Sequence, residues 1–276
     1  MSGGVPRTAI RLVISDVDGT IVDEARRLTR ATIEAAARLK DAGIALALVS
    51  ARPPAALRDI VATLGLETPR AGFNGAIVET ADGAVASELL IDAETTRHAT
   101  RRLEEMGLDV WIFSHARWYL TNPDAHYIAS ETRSISAQFE QVPSFDPYLS
   151  QAHKIIGASR DTALVASMAA ELQQSLGAGA SVTRSQDYYV ELTHTLADKG
   201  RATEAVAAQL GIPLDATLCI GDLHNDLAMF RVAGRSVAMG NAPEDVRREA
   251  DYVVADNEHD GWAEMVERLL SGGLEG

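Results

Sequence analysis

The chain has 276 residues, a formal net charge of -14 and one cysteine. The acidity argues against nucleic acid or an anionic membrane as a partner, since both require a basic surface. A lone Cys219 excludes an internal disulfide framework and fits a reducing compartment. The length calls for one large domain or two modest ones. The polar stretch 1–8 lacks the apolar core of a signal peptide, and the most apolar run, 44–49, is far too short to span a bilayer. A cytoplasmic protein is expected, with its oligomeric state open between monomer and weak dimer.

In chain order, 10–15 reads as a short strand buried on both faces. Thr29 is placed to cap a helix with apolar positions Ile33, Ala36, Ala37 and Leu39, which Gly43 ends. A strand follows over 44–49, then the loop Ser50-Ala51-Arg52-Pro53-Pro54 and a helix over 54–64. This alternation predicts a doubly wound α/β sheet, in which ligands sit beyond the carboxyl ends of the strands. After 79–83 the pattern changes. A helix over 93–106 precedes a hairpin formed by 110–113 and 118–121, and an irregular polar stretch runs to Gln151. Next come a strand over 153–158, a helix over 161–176, and strands at 181–183 and 188–192. From Lys199 the alternation resumes, with helices over 200–210, 226–233 and 262–270 and strands over 217–220, 236–239 and 252–254. The expected architecture is a parallel-sheet core made of 1–83 and 194–276, interrupted by an α+β insert over 84–193.

The chemistry concentrates at two strand ends. Asp16-Val17-Asp18-Gly19-Thr20 follows the first strand. One carboxylate there can attack phosphorus and a second can shuttle protons, although the same pattern also occurs in calcium loops and plain turns. Gly221-Asp222-Leu223-His224-Asn225-Asp226 follows another strand, with Asp222 and Asp226 four apart around a helix start. Gathered near Asp16, these acids call for a cation, and magnesium suits oxygen ligands of this kind; a solvated, helix-capping loop is the plainer alternative. Lys199 can supply a charge to a phosphate and Ser50 a hydroxyl, but neither residue carries weight by itself. Trp111, His115, Trp118, Tyr119, His126 and Tyr127 enrich the insert in rings; the core of a small hairpin is the plainer account, and a substrate-facing surface the other.

Asp16-x-Asp18-Gly19-Thr20, Ser50, Lys199 and Gly221-Asp222-x-x-Asn225-Asp226, in that order, resemble the haloacid dehalogenase-like phosphohydrolase superfamily. The insert, Asn74-Gly75-Ala76, Tyr189-Val190-Glu191-Leu192 and Asp260-Gly261-Trp262 resemble its Cof-type branch, with a Rossmann-like core and an α+β, C2-type cap. The resemblance implies that Asp16 is the nucleophile and a magnesium ligand. It implies that Asp18 is the general acid and base, with its carbonyl on the metal. Ser50 and Lys199 would bind the transferring phosphoryl group, and Asp222 and Asp226 would hold Mg²⁺, the latter directly or through water. Asn225 would help hold the loop or the phosphate. Apart from the resemblance, Arg52, in the loop directly after Ser50, and Asn74 are candidate substrate contacts. Ser50-Ala51-Arg52 departs from the branch, which often has glycine in the middle; the change matters if that position needs positive φ. The implied activity is magnesium-dependent hydrolysis of a small phosphorylated metabolite, such as a sugar phosphate, through an aspartyl-phosphate. A phosphohexomutase-like transferase and a non-catalytic metabolite-binding protein are the alternatives.

Overall fold

The computed structural model describes residues 8–115, 117–135 and 139–274, so residues 1–7 of the polar N-terminal stretch and Ala116 in the hairpin turn lie outside the described residues. The described residues divide into two compact units. One comprises 8–50, Arg58–Ala86 and 198–274; the other comprises Ala51–Leu57 and Ser87–Ala197.

The first unit is built on a sheet whose strands are, in chain order, β1 (Leu12–Ser15), β2 (Ala45–Val49), β3 (Arg70–Gly72), β4 (Ile77–Glu79) and β5 (Val85–Glu88), the last two residues of β5 being assigned to the second unit. The six strands between residues 109 and 193 belong to the second unit, and β12 (Thr217–Gly221), β13 (Arg235–Ala238) and β14 (Tyr252–Val253) complete the sheet. The spatial order is β14-β13-β12-β1-β2-β3-β4-β5, parallel from β14 to β3, with β4 antiparallel to β3. Every residue of β1 is buried, as expected for a strand paired on both sides with a layer on each face. Leu12, Ile14, Ala47 and Val49 point to one face, where they join Ala202, Val206 and Ala207 of α6 (Lys199–Leu210) and Met229 and Phe230 of α7 (Leu227–Val232). The chain winds outward from β1 toward β2 on one side and reaches β12 on the other. The topological switch point therefore lies between β1 and β12, and it opens a crevice beyond their carboxyl ends.

Local signals explain the helices. The Thr29 hydroxyl accepts the Thr32 amide at 3.1 Å and caps α1 (Arg30–Asp41). Its buried stripe is Thr32, Ala35, Ala36 and Leu39, so Ile33 and Ala37, expected on that stripe, lie on the solvent side. The segment expected as one helix over 54–64 is a 3₁₀ turn at Pro54–Leu57 followed by α2 (Arg58–Leu64). Among the described residues no helix is long and apolar enough to cross a membrane.

The second unit carries β6 (Asp109–Ser114), β7 (Arg117–Leu120), β8 (Phe139–Gln141), β9 (Lys154–Ala158), β10 (Ser181–Gln186) and β11 (Tyr189–Thr193) in the order β10-β11-β9-β6-β7-β8. All neighbours are antiparallel except β7 and β8. α3 (Ala93–Glu105) and α5 (Thr162–Leu176) cover one face, packing Leu103, Val165, Met168 and Leu172 onto Ile112, Tyr119, Ile155 and Val190. Trp111, Phe113, Trp118 and Tyr189 occupy the opposite face, with the two indoles edge-to-face at 5.4 Å. The ring cluster read from the sequence is thus split by the strand period. Trp111 and Trp118 are buried on one face, whereas Tyr119 stacks on Tyr148 on the other. The stretch expected to be irregular contains α4 (Ile128–Ile135) and β8.

Next to the hairpin, the Glu88 carboxylate lies 2.9 Å from His115 Nε2 and 3.2 Å from His153 Nε2. The His115 amide donates to His153 Nδ1 at 3.2 Å, which places the His153 proton on Nε2, facing Glu88. Burial, reinforced by His115, pushes His153 down to about 4 against the pull of Glu88. The unfolded chain therefore binds this proton at a higher pH than the folded one, and stability falls as pH drops from about 6.5 to about 4. Urea midpoints of the second unit across that range are expected to decline less steeply in His153→Gln, which keeps a donor toward Glu88. Equal slopes would exclude His153 as the source.

Candidate active site

β1 ends at Ser15, so Asp16 emerges at the switch point, its amide bonded to the Ile220 carbonyl at 3.0 Å. The Ser15 hydroxyl donates to the Asp16 carbonyl at 2.6 Å and accepts the Trp262 indole N–H at 3.0 Å. Trp262, at the start of α9 (Gly261–Leu270), thereby braces the strand end that carries Asp16. At Gly19, φ is +75°, and a Cβ there would lie 2.3 Å from Asp222 Oδ2, so only glycine fits the turn.

Asp222 follows β12 on the other side of the crevice. Asp226 makes the loop rigid: its Oδ2 accepts the amides of Asp222 and Leu223 at 2.8 and 2.9 Å. A Cβ at Gly221 would strike the Asp226 carboxyl carbon at 2.4 Å, which accounts for the glycine before the acid. The other Asp226 oxygen accepts Lys199 Nζ at 2.5 Å, and the same ammonium reaches Asp16 Oδ1 at 2.6 Å. Lys199, the first residue of α6, is 1 % exposed. One buried cation is thus suspended between acids from two strand ends, while the Thr20 hydroxyl lies between Asp16 Oδ2 (3.3 Å) and Asp222 Oδ1 (3.2 Å).

Charge dominates this site. Burial pushes Asp16 up to about 8; Lys199 draws it down, and Asp226 and Asp222 push it up. Burial and Asp226 push Asp222 up to about 6. Burial by itself would lower Lys199, but Asp16 and Asp226 outweigh it and hold the ammonium above the ordinary lysine range. One lysine, bonded to Asp16 and Asp226, faces three buried carboxylates, which leaves an excess of negative charge. Oxygens of Asp16, Asp222 and Asp226 all lie within 4.8 Å of one another, a donor set of hard oxygens that fits a divalent cation. Asp226 already spends both oxygens on the lysine and the loop, so it suits support of such an ion better than sole coordination.

The remaining residues singled out from the sequence fall as follows. Asp18 is half-buried and sits outside this carboxylate trio, with Arg26 Nε 3.9 Å from its carboxylate. Ser50 is buried at the end of β2, its amide bonded to the Ala71 carbonyl and its carbonyl to the Asn74 amide. Asn74 has φ +55°, a left-handed turn that asparagine tolerates, and its Oδ1 accepts Asn225 Nδ2 at 3.0 Å. The Ser50 loop is thereby tied through Asn74 to the loop of Asp222 and Asp226. Arg52 lies in the second unit, half-buried. Ala51 is not among the residues with positive φ, so alanine in place of the branch's usual glycine introduces no backbone strain. Cys219 is a core residue of β12, its thiol pushed up to about 12 by burial.

Sequence reasoning missed Asn241. Its Nδ2 donates to Asp222 Oδ2 at 3.1 Å and to the Gly19 carbonyl at 2.9 Å, linking both acid loops. Its position just beyond the carboxyl end of a parallel strand, β13, was the available signal.

A model of the haloacid dehalogenase-like hydrolase family matches residues 13–266, and the chain belongs to that family, within its Cof-type branch. Relatives to which it is similar are named as phosphatases. Phosphatase YwpJ of Bacillus subtilis is 26% identical, over 95% of this chain and 100% of its own. The pyridoxal phosphate phosphatase YbhA of Escherichia coli is 28% identical, over 93% and 97%. The solved structure of a haloacid dehalogenase-like hydrolase from Bacteroides thetaiotaomicron superposes with a TM-score of 0.88 at 25% identity, covering 94% of this chain and 99% of that one. The protein is accordingly a phosphoric monoester hydrolase of this family, a family whose phosphatases generally use a divalent metal.

Proposed function

We propose that the protein is a magnesium-dependent phosphatase that hydrolyses a small phosphorylated metabolite, a sugar phosphate or similar phosphomonoester, through an aspartyl-phosphate on Asp16. The observation that carries this reading is the buried Lys199 bridging Asp16 and Asp226 beside Asp222. An Asp16 carboxylate oxygen attacks phosphorus, the bond from phosphorus to the ester oxygen breaks, and Asp18 gives its proton to the departing alkoxide. Asp18 then takes a proton from water as that water attacks phosphorus. The acyl phosphate opens, and Asp16 returns as a carboxylate with inorganic phosphate released. Half exposure suits Asp18 to this exchange, because its proton must come from and return to solvent.

Lys199 and the Ser50 hydroxyl hold the phosphoryl oxygens, with Asn74 and Asn225 setting the loops beside them. Arg52 is assigned to the remainder of the substrate. Asp16, Asp222 and the Asp18 carbonyl would hold Mg²⁺, supported by Asp226. The ion, when bound, neutralises oxygen charge on the phosphoryl group and the acids. Cationic groups inside an acidic protein thus accommodate an anionic substrate. Relatives whose names specify phosphoglycolate and pyridoxal phosphate support a substrate of this size. The single cysteine, which fits a reducing compartment, supports a cytoplasmic setting.

The test is phosphate release from a panel of phosphorylated metabolites and an aryl phosphate, with magnesium and with chelator. Release that requires magnesium and returns when the ion is restored is the expected result. A folded protein that releases no phosphate from any compound, or releases it equally in chelator, overturns the proposal.

A further inference from the structure

The second unit holds a buried ion pair that the chemistry above does not use. Lys154 opens β9 directly opposite Thr193 of β11, and Glu191 sits two residues along β11, opposite Ile156 and on the same face of the sheet as the lysine. Nζ lies 2.8 Å from Glu191 Oε2, with the two side chains 9% and 5% exposed. Removing two charges from water offsets much of their attraction, so a buried pair is a poor explanation of stability by itself. The ammonium also lies 3.4 Å from the Ala51 carbonyl oxygen and 5.9 Å from the centre of the Phe113 ring.

Ala51 is the first residue of the second unit and directly follows Ser50. On its own side of that junction, Ser50 is fixed by the Ala71 carbonyl and the Asn74 amide. On the other side, Lys154 reaches the next carbonyl. The residues preceding β9 grip the other entry into this unit in a similar way. The Ala152 carbonyl accepts the Ile91 amide at 2.8 Å, and His153 meets Glu88 at 3.2 Å. The start of β9 therefore holds the chain at two of the places where it enters the second unit.

We infer that Lys154, aimed by Glu191, is a positioning residue that fixes the Ala51 carbonyl and so sets the direction in which Ser50 presents its hydroxyl to the transferring phosphoryl group. A charged donor on a carbonyl makes a stronger hold than a neutral one, and Glu191 stops the ammonium from turning to solvent. The inference rests on the role proposed for Ser50. Displacing a reacting group by about 1 Å costs up to roughly 100-fold in rate, so a distant anchor suffices to matter.

The test compares Lys154→Met, Lys154→Met with Glu191→Met, and Lys154→Arg by thermal midpoint, kcat and KM for an aryl phosphate, and inhibition by inorganic phosphate. The single Met variant leaves Glu191 buried and unpaired and is expected to lose both midpoint and activity. The paired Met variant regains the midpoint, but its kcat stays down at least about 10-fold and its inhibition by phosphate stays weakened. Arg restores part of kcat. A paired variant with both kcat and phosphate inhibition at wild-type levels shows a purely structural pair and overturns the inference. A second measurement does not depend on the folding of that variant. The effect of Lys154→Arg or Lys154→Gln on kcat/KM must shrink in a Ser50→Ala background, whereas additive losses also overturn it. Asp16→Asn in the same assay separates the two ideas: residual turnover there defeats the nucleophile assignment, whatever Lys154 does.

Discussion

Asp16→Asn is expected to lower turnover by on the order of 10⁵–10⁶, the scale seen when a covalent nucleophile is removed from a preorganised site. The amide has nearly the shape of the carboxylate, so the loop around Gly19 and the Ser15–Trp262 brace remain in place. Stability moves the other way. Asp16, Asp222 and Asp226 crowd their oxygens within 4.8 Å of one another around a single lysine, and neutralising one acid relieves that repulsion. The thermal midpoint measured without metal should therefore stay level or rise, and added magnesium should raise it less than in the wild type. A stable variant that has lost all phosphate release identifies Asp16 with the bond-making step. Substantial turnover in a folded Asp16→Asn protein would sink the assignment.

Lys199→Met is the complementary change, and it is expected to damage both fold and activity. Removing the ammonium leaves Asp16 and Asp226 buried at 5% and 0% exposure, with no lysine between them. Breaking a buried pair from one side costs about 3–5 kcal/mol, much of it from the unpaired charge left behind. Magnesium should return part of that stability by supplying a cation to the same oxygens, but it should not restore turnover, because the positive charge aimed at the phosphoryl group is gone. Urea midpoints with and without magnesium, read beside kcat, check both halves. A Met variant with the wild-type midpoint in chelator would show that the lysine is not the counter-ion the geometry makes it.

The parts legible in the sequence were those with a local cause. Leu12 to Ser15 and Thr217 to Gly221 are apolar runs of strand length ended by acids and glycine, so the strands and the loops carrying Asp16 and Asp222 could be placed without coordinates. Thr29 announced a helix start through its own hydroxyl. Other features had no such local signal. α4 reads Ile-Ala-Ser-Glu-Thr-Arg-Ser-Ile, with its large apolar residues only at the two ends, too sparse to mark a helical stripe. Ile33 and Ala37 are apolar yet face solvent, because the stripe that packs is set by the neighbouring layer and runs through Thr32 and Ala35. β3, β4 and β5 are three or four residues long and become strands by pairing with neighbours that sequence does not reveal.

The sequence by itself determined the family, the order of the acidic loops, the alternation of strand and helix, and which residue types were available for the chemistry. These follow from short-range chemistry: side-chain period, turn preference and the residues that follow a buried strand. Only the tertiary structure decided that Lys199 is shared between Asp16 and Asp226, that Asp226 gives both its oxygens to holding the site together, and that Asn241 ties the two acid loops. Lys199 and Asp16 are 183 residues apart in the chain, and they meet because β1 and β12 pair in parallel at the switch point of the sheet. Such a contact is set by the pairing of distant strands, which no local stretch of sequence encodes.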